Sequence, residues 1–468
     1  LISAIFISAA LPHICSLAKD VRWVKTVVPG IKYTQIKASA DRGPLRIHIL
    51  SVNANDPKIR IKPALAKRRI GMIEGVDRIA KRENAVAAVN GSFFESKKTP
   101  HLPIGILIAD GKIVNKSLLH RAAIGITGGG DIVFGIPKMR GEIVNPKTGE
   151  RFVIWGINRP RKLNEVILYT PEYGEITKTN KFGVEIVVSR GRVIEHARGN
   201  SKIPEDGCVV SFHGQSRKLI DMLPVGSDAV VTFGLSGGWE TVNQALTAGP
   251  LLIEDGEIVV EKSIEEEGFS GRILSPSART AVGIDRSGHL LFFVVDKKRM
   301  VSVGATYAEL AEIMKREGVV TGIALDGGGP STLYVDGEIK NHLMYGFVVP
   351  VSNALIVEKE GYRFVAKPIL PPKPKAEASI KMGKTEGLAF VSFEAVAYIS
   401  IAEALTADSF VEGFSSPVYS EDFLSFAQSE VVIPEPGFDM KAFEEALPKT
   451  YEEILLPGLP SRPQSLFL

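Results

Sequence analysis

Short apolar runs closed by two-residue turns recur along this chain, and each one commits the backbone to a pair of antiparallel strands. "IGILIADGKIV" places Asp110-Gly111 between two such runs, and the pattern returns in "LLIEDGEIVV" and "LYVDGEI". Asp-Gly supplies the two positive-φ residues that a tight turn matching strand twist requires. "AIGITGGGDIVFGI" turns through glycines 128–130, and "AVGIDRSGHLLFFVV" adds another hairpin. The expected fold is α+β: β-rich mixed sheets of short hairpins with a few packed helices, followed by a disordered C-terminal tail. A hydrophobic content of 45% with 45 glycines and 28 prolines fits such a turn-rich globular chain.

Between the hairpins, "LRIHILSV" (45–52) alternates as a half-buried strand does, and "KIRIKPAL" (58–65) follows in the same style. "GMIEGVDRIAKREN" (71–84) switches to helical spacing, with Ile73, Val76, Ile79 and Ala80 on one face. "AVAAVNGSFF" (85–94) reads as a buried strand that stops at Asn90-Gly91. The clearest helix is "TYAELAEIMKREG" (306–318), in which Thr306 and Glu309 form a capping box and Gly318 closes the last turn.

The chain divides by composition. Residues 1–18 are apolar and end in Ser16-Leu17-Ala18, which reads as an export signal with its start missing. This predicts a periplasmic, cell-surface or extracellular protein, with cleavage removing Cys15 and leaving Cys208 unpaired. Residues 19–44 read as a lead-in, 45–360 as the main domain and 361–379 as a Pro/Lys linker. Residues 380–468 read as an acidic tail, mostly disordered, with short helices near 399–405 and 440–447. By count, residues 1–375 carry about +13 and residues 376–468 about −10. A basic body favours anionic substrates or envelope polymers. No basic helix, aromatic-basic interleaving or zinc-finger spacing supports a nucleic-acid partner. No later segment approaches the roughly 20 apolar residues of a membrane helix, and oligomeric state is not legible.

"GIALDGGGPSTLYVDGEI" (322–339) is the stretch that most needs explaining. A strand ends at Asp326, breaks over Gly327, Gly328 and Gly329, meets Ser331 and Thr332, and becomes a strand again. A P-loop must lead into a helix and carry a Lys; this loop does neither, so nucleotide binding is excluded. One reading is a nest of inward backbone N–H groups for an anion, with hydroxyl donors and a carboxylate alongside; the other is a tight turn. "AVNGSFFE" has the same character, ending a strand with Asn90, Gly91 and Ser92, and Glu95 follows. "SPSARTAVGID" holds Arg279 and Thr280 at a strand entrance, where an Arg can clamp a phosphate.

Taken in order, "AVNGSFF", "TAGPLLIEDG", "SARTAVGID", "LDGGGPSTLYVDG" and "PVSNALIV" resemble the phosphodiester glycosidase family over about residues 45–358. That family includes an animal N-acetylglucosaminidase and bacterial exopolysaccharide-related proteins. The resemblance implies hydrolysis of a sugar-1-phosphodiester, with Asn90, Arg279 and Asp326 at the centre. It places Gly91, Ser92, Thr280, the three glycines, Ser331, Thr332 and Asn353 around them, and more loosely Asn158 and Thr170 from residues 157–174. Pro330 stands where the family often has a hydroxyl residue, and Val349 where it often has an Arg.

Glycosidases usually employ two carboxylates. Here Asp326 lies in a clear motif and Glu95 is the next candidate. Because phosphate is a good leaving group, Arg279 and backbone N–H groups can supply much of the stabilisation electrostatically. In this reading Asp326 is base or nucleophile, Arg279 grips the phosphate and Asn90 orients the sugar. No cofactor or metal is expected: the eight histidines are scattered without an HExxH pair, and no Ser-centred elbow appears. The alternative is a non-catalytic polysaccharide-binding or exopolysaccharide-assembly protein.

Overall fold

A computed structural model describes residues 20–116, 120–363, 376–385, 388–396 and 430–434. The expected turns form as the sequence requires. Asp110, Asp255 and Asp336 each take φ 49, followed by Gly111, Gly256 and Gly337 at φ 75, 85 and 88.

Of the five sheets described within residues 20–363, three position the site. One has eight strands, in the order Val21–Val28, Ile31–Ala40, Gly43–Asn53, His289–Val295, Arg279–Asp285, Val319–Ala324, Leu251–Glu254 and Glu257–Ile258. A five-stranded sheet runs Glu338–Ile339, Leu333–Val335, Ala87–Asn90, Asn353–Lys359 and Ile59–Leu65. A ten-stranded sheet takes in Ile106–Ala109, Ala123–Thr127 and Val242–Thr247, and continues through residues 156–213. The segment expected as a lead-in therefore supplies two strands of the first sheet, because Ile31, Tyr33 and Ile36 all face its core.

Strand alternation builds the layers. Phe292 and Val294 pack with Val89, Leu333 and Leu355 of the five-stranded sheet and with Leu107, Ile124 and Leu246 of the ten-stranded one. Phe293 and Val295 point the other way, onto the helix Tyr307–Arg316 through Leu310, Ala311 and Met314. That helix carries the expected capping box: Glu309 N–H donates to Thr306 Oγ1 at 3.2 Å, and Thr306 N–H to the Glu309 carboxylate at 2.7 Å. Helix Val76–Arg82 covers the far face of the five-stranded sheet. It is shorter than its spacing predicts, because Glu74 pairs with Val351 in a backbone bridge that holds residues 71–75 out of the helix. A helix at Val260–Glu266 has no forerunner in the sequence reading.

The glycine stretch is a crossover. The chain leaves the eight-stranded sheet at Ala324 and enters the five-stranded sheet at Leu333, so residues 325–332 join two layers.

Lys367–Leu468 forms a second unit. Strands Ala376–Thr385, Leu388–Val396 and Glu430–Pro434 make an antiparallel sheet in a region expected to be linker and irregular tail. The expected export signal and the helices near 399–405 and 440–447 lie outside the described residues. Among the described residues no helix is long and apolar enough to cross a membrane.

Candidate active site

Asn90 ends its strand fully buried, and its side chain is the junction of the site. Its Nδ2 donates to the Asp326 carbonyl at 2.5 Å. Its Oδ1 accepts from Thr280 Oγ1 at 2.8 Å and from the Thr332 N–H at 3.1 Å. Asp326 N–H donates to the Gly91 carbonyl at 3.1 Å, and Gly91 N–H to the Asn353 carbonyl at 3.0 Å. The Asn353 amide then accepts from Ser92 N–H at 3.0 Å and donates to Ser92 Oγ at 2.7 Å. A Cβ on Gly91 would overlap that amide, which explains the glycine. The three sequence blocks around Asn90, Thr280 and Asp326 thus meet at one point, with Asn353 beside them.

Asp326 is half-buried, and loss of hydration pushes its carboxyl up to about 7, a rise that the Gly327 N–H donating to it only partly offsets. The hydroxyls of Ser331 and Thr332 on the same crossover are buried with no hydrogen-bond partner, and the buried Tyr307 hydroxyl feels the Asp326 charge. Buried polar groups are almost always paired, so these hydroxyls retain hydrogen-bonding capacity for water or a ligand.

The glycines serve another purpose than an anion nest. Gly328 N–H donates to the Ala278 carbonyl at 2.8 Å, Ser331 N–H to the Gly328 carbonyl at 3.1 Å, and Thr332 N–H goes to Asn90. The loop's donors are mostly spent on holding the crossover. Gly328 is needed for its φ of +73, while a Cβ on Gly329 would lie 2.5 Å from the Tyr345 ring. Tyr345 and Phe347 are stacked and exposed, forming an aromatic lip beside the loop. Gly328→Ala is therefore expected to cost about 1–2 kcal/mol through backbone strain alone, read by urea unfolding. Gly329→Ala should displace the lip instead and raise KM.

Arg279 also departs from expectation. It is 2% exposed, and its Nε donates to the Ala305 carbonyl while Nη2 donates to those of Ile273 and Ser275, at 2.7–2.8 Å. Three of the five N–H groups of its fork are consumed. The guanidinium lies 4.0 Å over the Tyr307 ring, with Nη1 turned towards Gly327. The clamp read from sequence is thus chiefly a brace.

Asn158 and Thr170 bond each other and the Val114 carbonyl, and Thr170 lines a separate cleft with Lys112, Glu172 and Phe233. None of these atoms bonds the group around Asp326. Glu95 pairs with Lys98 at 3.2 Å and stays 43% exposed at its side chain, outside the same group. Burial pushes the Cys208 thiol up to about 12, leaving no thiolate for nucleophilic work.

His48, Asp296 and His342 are the one cluster of potential metal ligands among the described residues. Their polar atoms already satisfy one another. Asp296 Oδ2 lies 3.1 Å from His48 Nε2 and 2.9 Å from His342 Nδ1, and Tyr33 closes the chain at 2.7 Å. The network ties the Gly43–Asn53 strand to the segment that carries Tyr345.

Sequence comparison now has a site to bear on. Residues 182–358 match the phosphodiester glycosidase family. The matched span contains Arg279, Thr280, the glycine loop and Asn353, and Asn90 comes from outside it. N-acetylglucosamine-1-phosphodiester alpha-N-acetylglucosaminidase of Mus musculus is 31% identical over 161 residues, 33% of this chain and 29% of that protein. The Homo sapiens protein of the same name is 35% identical over 107 residues, 21% of each chain. This chain thus spans under a third of those relatives' length. A Synechocystis protein shares the fold with TM-score 0.64 at 24% identity, over 71% of this chain and 63% of its own. A Burkholderia pseudomallei protein does so with TM-score 0.63 at 17% identity, over 74% and 98%. The phosphodiester glycosidase relatives are hydrolases by name.

Arg121 shares the local setting of Arg279. "HRAAIGIT" repeats the pattern of "SARTAVGID", an Arg followed two residues later by Ala, a β-branched residue, Gly and Ile. Each Arg stands at a strand entrance, Arg121 before Ala123–Thr127 and Arg279 at the head of Arg279–Asp285. Each guanidinium also lies over a ring, Arg121 at 4.0 Å from the Phe269 centroid.

Proposed function

We propose that this chain is an exported hydrolase that cleaves a sugar-1-phosphodiester on an envelope or extracellular glycan. The observation that carries this reading is the Asp326 carboxyl, raised to about 7 by burial, on a crossover whose Ser331 and Thr332 hydroxyls are buried without partners. The bond from the anomeric carbon to the phosphate oxygen breaks, and a bond from that carbon to a water oxygen forms. Asp326 takes the water's proton as base, or attacks first as nucleophile and is then released by water. The phosphate monoester departs with the bonding electrons, so a strong general acid is dispensable. Asn90 fixes the Asp326 main chain, and Tyr345 and Phe347 offer exposed faces suited to packing against a sugar ring. Export rests on the Ser16-Leu17-Ala18 site in the sequence.

Purified protein incubated with a panel of glycosyl-1-phosphodiesters should release reducing sugar. Both roles for Asp326 need the ionised form, so kcat/KM should fall as pH drops through about 7. Binding without release across the panel would favour the polysaccharide-binding reading, which Glu95's position outside the site also favours by leaving one carboxylate where glycosidases usually have two.

A further inference from the structure

We infer that Arg121, and not Arg279, grips the substrate's phosphate group, with the Tyr307 hydroxyl as its companion donor. This inference rests on the phosphodiester reading for the identity of the anion.

Two arginines flank Tyr307, and they differ in what they have left to give. Arg279 spends Nε and Nη2 on three main-chain carbonyls. Arg121 makes no hydrogen bond or ion pair among the described residues, and its Nε is buried without a partner. It is held by rings instead, 4.0 Å over Phe269 and 5.6 Å from the centroid of Phe93. Phe269 in turn meets the Tyr307 ring edge-on at 6.3 Å. Stacking fixes the plane of a guanidinium while leaving its N–H edge available, the arrangement suited to bidentate capture of a phosphate.

The nearest counter-charge does not explain Arg121. Glu267 lies within electrostatic reach, but its two oxygens accept the Ala122 N–H at 2.8 Å and the Leu251 N–H at 2.7 Å. Tyr307 links the two halves of the site: its buried hydroxyl sits beside the Arg279 guanidinium, from which it can only accept, so its O–H remains to donate, and it feels the charges of Arg279, Asp326 and Arg121. The inferred phosphate lies between Arg121 and Tyr307, which feel each other's charge, and Tyr307 also lies within electrostatic range of the Asp326 carboxyl.

The test uses inorganic phosphate and dimethyl phosphate as probes, so that it does not depend on turnover. Titrated calorimetrically, wild-type protein should bind either probe, and the anion should raise its melting temperature. Arg121→Gln, which removes charge and fork, should weaken binding at least ~10-fold, the scale of a charge-assisted pair. Arg121→Lys, which keeps the charge but loses the planar fork, should weaken it less but measurably, and Tyr307→Phe should add a further loss. If Arg121→Gln fails to fold, Arg121→Lys with Tyr307→Phe still decides the matter. Anion binding unchanged in Arg121→Lys and in every folded Arg121→Gln sample would overturn the inference and leave Arg121 as packing on Phe269. Anion binding lost in the variants while the wild type releases no sugar would uphold the phosphate grip and sink the hydrolase reading alone.

Discussion

Asp326→Asn should turn substrate over at least ~100-fold more slowly, the scale of a lost acid–base group, and should at the same time unfold at a higher temperature above neutral pH. The two effects have one origin. A carboxyl raised from 3.8 to about 7 by burial is neutral in both states at low pH, whereas between those values only the unfolded chain ionises it freely. The unfolded state then binds fewer protons than the native one, so stability falls as pH rises from about 4 to about 7. The full penalty is about 4 kcal/mol, from roughly three pH units at 1.36 kcal/mol each. The amide of Asn carries no such penalty while keeping the shape. Melting temperatures of both proteins at pH 4 and pH 8, with kinetics at each, check the prediction. An active Asn variant would remove Asp326 from the mechanism, and one no more stable than wild type at pH 8 would show that burial does not raise its carboxyl.

Arg279→Leu should damage the fold before it damages binding. Its removal leaves the carbonyls of Ile273, Ser275 and Ala305 without their donor, at roughly 1–3 kcal/mol for each that stays buried and unpaired. It also uncovers the Tyr307 ring. Arg279→Lys keeps the charge but cannot reach three carbonyls with a planar fork, so it should fall between the two in melting temperature. A phosphate clamp would behave oppositely, with KM rising and stability unchanged. Urea denaturation beside KM on the same two variants separates these outcomes.

What could be read from the sequence was whatever is encoded locally. Asp110-Gly111, Asp255-Gly256 and Asp336-Gly337 specify their turns by backbone conformation alone, and Thr306 with Glu309 specifies a helix start through its own hydrogen bonds. The meeting of Asn90 with Thr280 and Asp326 was legible only through motif resemblance, because 190 and 236 residues separate the bonded partners. Arg279 shows the limit of such a reading. Its place at a strand entrance was visible, but whether its fork faced a ligand or three carbonyls depends on loops near 273 and 305. Arg121 carries no motif of its own in the sequence reading, although "HRAAIG" repeats the neighbourhood of Arg279. Asn158 and Thr170 rest on a looser match, and their polar atoms are spent on each other, on the Val114 carbonyl and on Glu172. Val21–Val28 was missed because six of its eight residues are exposed, so its alternation carries little apolar signal.

Asn90 belongs to the five-stranded sheet, while Thr280 and the strand that leads into Asp326 belong to the eight-stranded one. Neither layer on its own contains a working set of groups. A nascent chain that has formed one sheet already holds reactive side chains, yet has no centre capable of acting on a passing phosphodiester. Competence arrives only when the second layer docks and the Asn90 amide closes on its three partners. On the function proposed above, turnover would report the meeting of two sheets, and would gauge complete assembly more sharply than any measure of strand content.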